Sequence, residues 1–125
     1  AGQSELWLDG GHNPAAGHAI AALLAELPKV PTYLICGMLN TKDIKGYLDP
    51  LAPHVAGLHA VSIPGEAATL PAETTAAAAH AVGMNATQAL DVVSALKEIV
   101  AQEPQARVLI CGSLYLAGNI LRYNS

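Results

Sequence analysis

The chain has 125 residues, of which 52% are hydrophobic and 13% charged, with a formal net charge of −4. That length fits one domain, able to bury about two thirds of the surface its unfolded chain exposes. The acidic balance argues against nucleic-acid binding, and no apolar run nears the ~20 residues of a membrane span. No signal-peptide pattern appears, so a cytoplasmic protein is expected. About a quarter of a typical soluble domain is charged. So sparse a charged surface fits a piece that packs against another domain.

Ala1 to Ser4 carries no start signal and reads as a cut within a linker. Leu6-Trp7-Leu8 is a short apolar run, as expected of a strand covered on both faces. Asp9 ends it, Gly10 and Gly11 turn the backbone, and Asn13 followed by Pro14 opens a helix. Asp9, His12 and Asn13 thus sit where a strand ends and a helix begins, the edge at which α/β sheets bind ligands. The free N–H groups and positive dipole end of a helix favour anions there. A plain loop with its own capping network is the alternative reading.

The first helix is expected from about Pro14 to Leu27, burying Ala16, Ala19, Ile20, Leu23, Leu24 and Leu27 at spacings of three and four. Thr32 to Gly37 reads as the second strand, and Ile44 to Leu51 as a short helix capped by Asn40 or Thr41 and broken by Pro50 and Pro53. Lys42 is a lone cation in the intervening loop, although spacing alone favours reading Lys42 and Asp43 as a solvated helix start. Gly57 to Ile63 is the third strand, with His59 read as a satisfied core or edge histidine.

Pro71 opens an alanine-rich helix that stops before Gly83, and Asn85 to Ala89 can add a short strand. Leu90 to Gln102 is the fourth helix, with Leu90, Val93, Leu96, Lys97 and Val100 at helical spacing. Arg107 to Cys111 is the last strand, followed by Gly112-Ser113-Leu114-Tyr115-Leu116 and a closing helix to about Arg122. Cys36 and Cys111 fall in apolar strands and read as buried, reduced thiols. Ser113 lacks the glycine spacing of a nucleophile elbow; it reads as a donor to an anion or as a helix N-cap.

Strands alternating with helices predict a Rossmann-like α/β fold, a mostly parallel sheet of about five to six strands with helices on both faces. The loops after Leu8, Gly37 and Cys111 then emerge at one edge, and Asp9, His12, Lys42 and Ser113 line a common rim. No phosphate loop, dinucleotide fingerprint or zinc spacing is present in the sequence. The chain therefore offers a carboxylate, an imidazole and hydrogen-bond donors, without a cradle for a triphosphate.

Three segments carry a resemblance: Leu8-Asp9-Gly10-Gly11-His12-Asn13-Pro14, then Gly37-Met38-Leu39 with Lys42-Asp43, then Gly112-Ser113-Leu114-Tyr115-Leu116. In order and spacing they resemble the C-terminal domain of bacterial folylpolyglutamate synthase/dihydrofolate synthase, a family of the Mur ligase superfamily. Gly11 stands where alanine is usual. The resemblance spans residues 1–125 and implies that an N-terminal domain, with the phosphate loop, the Mg2+ ligands and most folate contacts, is absent from this chain.

It implies an ATP-dependent ligase that adds L-glutamate to dihydropteroate or to folylpolyglutamate. The acceptor carboxylate is phosphorylated to an acyl phosphate, the glutamate amine attacks, and ADP and phosphate leave. By the same resemblance Asp9, His12 and Asn13 contact the nucleotide, with His12 in a catalytic place near the phosphates or the incoming glutamate. Ser113 and Lys42 receive glutamate. No metal ligand is expected in this chain. A covalently linked N-terminal ATPase domain is the expected partner, the enzyme is expected to be monomeric, and this domain alone is expected to be inactive. A non-catalytic ligand-binding module and the equivalent domain of a cell-wall Mur ligase are the competing readings.

Overall fold

The sequence Leu-Ile-Cys-Gly occurs twice, and the two copies lie side by side in the sheet. A computed structural model of the chain describes residues 5–8, 13–38, 43–62 and 70–112. The elements are β1 (Glu5–Leu8), α1 (Pro14–Glu26), β2 (Thr32–Cys36), α2 (Ile44–Leu48), a 3-10 segment (Asp49–His54), β3 (Gly57–Ala60), α3 (Ala72–Ala81), β4 (Ala86–Gln88), α4 (Val92–Gln102) and β5 (Arg107–Cys111). The five strands form one sheet in the order β1-β5-β2-β3-β4. Every pairing is parallel. In β2 and β5, Leu34 faces Leu109, Ile35 faces Ile110 and Cys36 faces Cys111.

Alternate side chains of a strand point to opposite faces, so one apolar run supplies two cores. Leu34, Cys36, Leu58, Ala60, Leu109 and Cys111 join Ala21, Tyr47, Leu48, Leu51 and Ala79 from α1, α2, the 3-10 segment and α3. Ile35, Val61, Val108 and Ile110 pack on Val92, Ala95 and Ile99 of α4. Helices thus cover both faces, as the sequence predicts. Among the described residues no helix is long and apolar enough to cross a membrane.

Several details differ from the sequence reading, each for a packing reason. Leu6 is 46% exposed, so β1, which pairs only with β5 among the described strands, is not covered on both faces at that residue, while Trp7 packs against the core. In α1 the closest packing positions are Gly17 and Ala21, while Ala19 is exposed and Leu23 is 38% exposed. Small residues make the seam with α2, while Ala16, Ile20 and Leu24 of the expected face pack against the core as partly buried side chains. A Cβ on Gly17 would overlap the Tyr47 carbonyl oxygen of α2.

The fully buried positions of α4 are Val92, Ala95 and Ile99; of the expected Leu90, Val93, Leu96, Lys97 and Val100, Leu96 packs against this core as a partly buried side chain, whereas Leu90 and Val93 are exposed. Leu90 precedes the helix and is 88% exposed, because Asp91 takes the N-cap and bonds the Ser94 amide at 2.7 Å. Strand β3 stops at Ala60, and Val61 is buried just beyond it. The expected closing helix to Arg122 lies outside the described residues.

His59 is buried in β3, but it is not fully satisfied. Its Nδ1 has no hydrogen-bond partner, and its Nε2 lies 4.0 Å from Glu98 Oε1 on α4. The Tyr33 ring meets it edge-on with centroids 6.5 Å apart. Burial lowers the imidazole pKa from its usual 6.5, partly opposed by the Glu98 carboxylate.

Two outcomes follow from this packing. Gly17→Ala should cost about 1–3 kcal/mol, the range for overpacking a tight contact, despite alanine's better helix propensity. Urea unfolding should show a lower midpoint at unchanged slope. Since the unfolded His59 binds its proton at higher pH than the folded one, its contribution to stability is fully present above about 6.5 and is lost as pH falls below that value. Urea midpoints at about pH 7.5 and about pH 5.5 should drop for the native chain and drop less for His59→Leu.

Candidate functional site

All strands run the same way, so the carboxyl ends of β1, β5 and β2 share one edge. Leu8 lies opposite Ile110, and Cys36 opposite Cys111. The two central strands are tied beyond their paired cysteines, since the Gly37 amide donates to the Cys111 carbonyl at 3.2 Å. Gly112 takes φ +104°, a left-handed conformation that favours glycine. A Cβ there would overlap the Gly37 carbonyl oxygen and come within 2.8 Å of Met38 Sδ. Glycine at 112 therefore lets the backbone leave β5 in close contact with the chain leaving β2. Met38 is fully buried, and its carbonyl accepts from the Leu70 amide at 2.8 Å, which returns the chain before α3 to the same edge.

The helix starts meet at this edge as well. Asn13 is extended (φ −125°, ψ 168°), and its Oδ1 accepts from the Ala16 amide at 2.9 Å, with Pro14 in the first turn. This is the cap the sequence predicts. Residues of that first turn carry no carboxylate, so the positive end of α1 is not neutralised from within the helix. Helix α2 is capped by Asp43, whose Oδ1 accepts from the Gly46 amide at 3.0 Å. Asn40 and Thr41 are not its caps, and the signal missed was the pairing of Asp43 with an amide three residues on. A Cβ on Gly46 would come within 2.8 Å of Pro14 Cγ, so the first turns of α1 and α2 touch.

Of the residues singled out from sequence, Asn13 is described and lies at this edge. Asp9, His12, Lys42 and Ser113 lie outside the described residues. Their chain neighbours Leu8, Asn13, Asp43 and Gly112 are described, and each stands at a strand end or helix start just placed. The two thiols, Cys36 and Cys111, face each other in the paired strands that end at this edge. Both are buried and unoxidised, and the hydrogen bond with Cys111, together with burial, pushes the Cys36 pKa well up. A protonated, buried thiol is a poor nucleophile. Among the described residues no three His, Cys, Asp or Glu side chains gather as a metal site.

The family model for "Dihydrofolate synthetase, C-terminal domain" matches residues 1–123. The chain belongs to this family. The dihydrofolate synthetase C-terminal domain seen here is 28% identical over 113 residues to the folylpolyglutamate synthase of Lacticaseibacillus casei, covering 90% of the chain and 25% of that protein. Its fold matches the Mycobacterium tuberculosis folylpolyglutamate synthase complexed with ADP and AMPPCP, with a TM-score of 0.81 and 26% identity over 94% of the chain and 29% of that structure. It matches E. coli FolC in complex with DHPP and ADP equally well, with a TM-score of 0.81 and 25% identity over 93% of the chain and 27% of that structure. The chain thus spans little more than a quarter of the length of these relatives.

Asn13 offers a direct test of the local geometry. Asn13→Ala should destabilise the domain by about 1 kcal/mol through the lost cap, whereas Asn13→Ser should retain most of it. Thermal unfolding of both variants, followed by circular dichroism, measures the difference.

Proposed function

We propose that this chain is the C-terminal domain of an ATP-dependent ligase that joins L-glutamate to dihydropteroate or folylpolyglutamate through an acyl phosphate. The observation that carries this reading is the family match over nearly the whole chain, joined to a sheet edge where two strand ends and two helix starts converge. Relatives of about four times its length are complexed with ADP, and one with DHPP as well. In this reading a preceding domain supplies the phosphate loop and the Mg2+ ligands, and this domain closes over it. Phosphoryl transfer depends mainly on positioning and charge stabilisation, both of which a second domain can supply.

The roles proposed for individual residues follow the chemistry of their types. Asp9 is an acceptor, suited to a hydroxyl or amino group of the nucleotide. The amino end of α1, capped by Asn13, suits negative charge, and its first turn holds no competing carboxylate. His12, one residue before that cap, is suited to the phosphates or to the amine of the incoming glutamate. Lys42 immediately precedes the Asp43 cap of α2, and Ser113 follows the left-handed Gly112. Both are suited to the glutamate carboxylates. The bound ATP supplies the leaving group that activates the acceptor carboxylate. This chain's part is to orient glutamate and to exclude water. The enzyme is proposed to act as a cytoplasmic monomer.

The test is glutamate-dependent ADP release by the complete enzyme, with dihydropteroate and a folylpolyglutamate offered in parallel. Asp9→Ala should weaken ATP use by about 1.5–3 kcal/mol, the cost of removing a hydrogen bond to a charged partner. Unaltered ATP dependence would reduce Asp9 to a turn residue. ADP release by the 125-residue chain alone would refute the proposed division of labour.

A further inference from the structure

Residues 36–38, where β2 ends, hold three neighbouring segments at the carboxyl edge. The Cys36 carbonyl accepts from the Val61 amide at 2.9 Å, which ties down the end of β3. The Gly37 amide donates to the Cys111 carbonyl at 3.2 Å, and the Met38 carbonyl accepts from the Leu70 amide at 2.8 Å. Main-chain bonds of this kind anchor the strand ends but leave open how closely the residues beyond them approach. The Met38 side chain decides that between β2 and β5.

Met38 is fully buried, in one apolar cluster with Cys36, Leu48, Ala60 and Cys111. Its Sδ packs on Gly112, within 2.8 Å of where a Cβ would stand. Gly112 has φ +104° and no side chain of its own, so the methionine supplies the wall against which the exit of β5 rests. An unbranched thioether suits such an irregular gap. Interiors packed this densely pass small displacements on to their neighbours. Losing the side chain would leave a void, and atoms lining a void forfeit their contacts on that side. The exits of β2 and β5 would then be free to shift relative to each other.

Lys42 follows Met38 by four residues, and Ser113 follows Gly112 directly. Both are proposed above to receive glutamate. The nucleotide residues Asp9, His12 and Asn13 belong instead to the chain leaving β1, which is placed by the register of Leu8 with Ile110 and by the Asn13 cap. We infer that Met38 is a positioning residue for glutamate: its contact with Gly112 sets the spacing of the two segments that carry Lys42 and Ser113. The inference rests on the ligase reading, and it assigns Met38 no contact with substrate.

The test measures KM for glutamate and for ATP in the complete enzyme, with Met38→Ala and Met38→Leu beside the wild type. A misplacement of about 1 Å can cost on the order of a hundredfold, so Met38→Ala should raise the glutamate KM about tenfold or more. The ATP KM should stay within about twofold, and Met38→Leu, which nearly keeps the volume, should hold the glutamate KM within about twofold of wild type. A loss of folded enzyme alone lowers the apparent kcat and moves neither KM, which separates positioning from general destabilisation. Should the alanine variant fail to fold, Met38→Val, which removes less volume and still withdraws the sulfur from Gly112, takes its place. An unchanged glutamate KM, an equal rise in both constants, or a leucine variant as impaired as the alanine one would overturn the inference and leave the ligase reading standing. No glutamate-dependent ADP release by the wild type would overturn both.

Discussion

The contact on which the architecture rests is the in-register pairing of β2 with β5. Each strand contributes Leu-Ile-Cys, so two leucines and two cysteines feed one core and two isoleucines the other. Full burial of residues of this size is worth about 1.5–3 kcal/mol each. Those side chains can be buried on both faces only if the pair is interior, which puts the shorter strands β1 and β4 outside it. Gly112, following the second run, removes the side chain that would push the two exits apart. Burial within the strands and close approach beyond them are thus parts of one arrangement.

Small residues do the same for the helices. Gly17 lets α1 lie against the Tyr47 carbonyl of α2, and Gly46 lets the start of α2 touch Pro14. Alanines fill much of the interface beneath α3, where Ala76, Ala78 and Ala79 are buried. A thin, tightly seated helical layer brings helix starts close to strand ends. That proximity matters for chemistry because each helix start presents free N–H groups and a positive dipole end. The sparse charge of the chain is consistent with the same design, since much of its surface is alanine and short aliphatic side chains.

The two edges of the sheet differ in the kind of polarity they offer. At the carboxyl edge the described donors are main-chain amides in the first turns of α1 and α2, capped by Asn13 and Asp43. At the amino edge they are side chains, with Arg107 seated below the surface and Lys29 and His54 at the rim of a cavity. Main-chain donors suit a ligand whose position must be fixed by a closing domain, because they move only with the backbone.

Much of this was legible from local chemistry. Arg107–Cys111, the Asn13-Pro14 helix start and the stop at Gly83, with φ +93°, follow from apolar runs, capping and the freedom of glycine. The motifs at both ends of the chain were sufficient to indicate the family, because they combine residue types with spacing. Which side of each helix is buried was decided by the tertiary structure. Spacing correctly placed Ile20 and Leu24 of α1 and Leu96 of α4 on the packed side, but close backbone contact made Gly17 and Ala21 the buried positions in one, and the Asp91 cap left Leu90 ahead of the other. Periodicity records which residues are apolar, whereas the distance between elements determines whether a large or a small residue fits. The cavity around Arg107 was likewise invisible in sequence, because its three basic side chains come from segments that only parallel strand order brings to one edge.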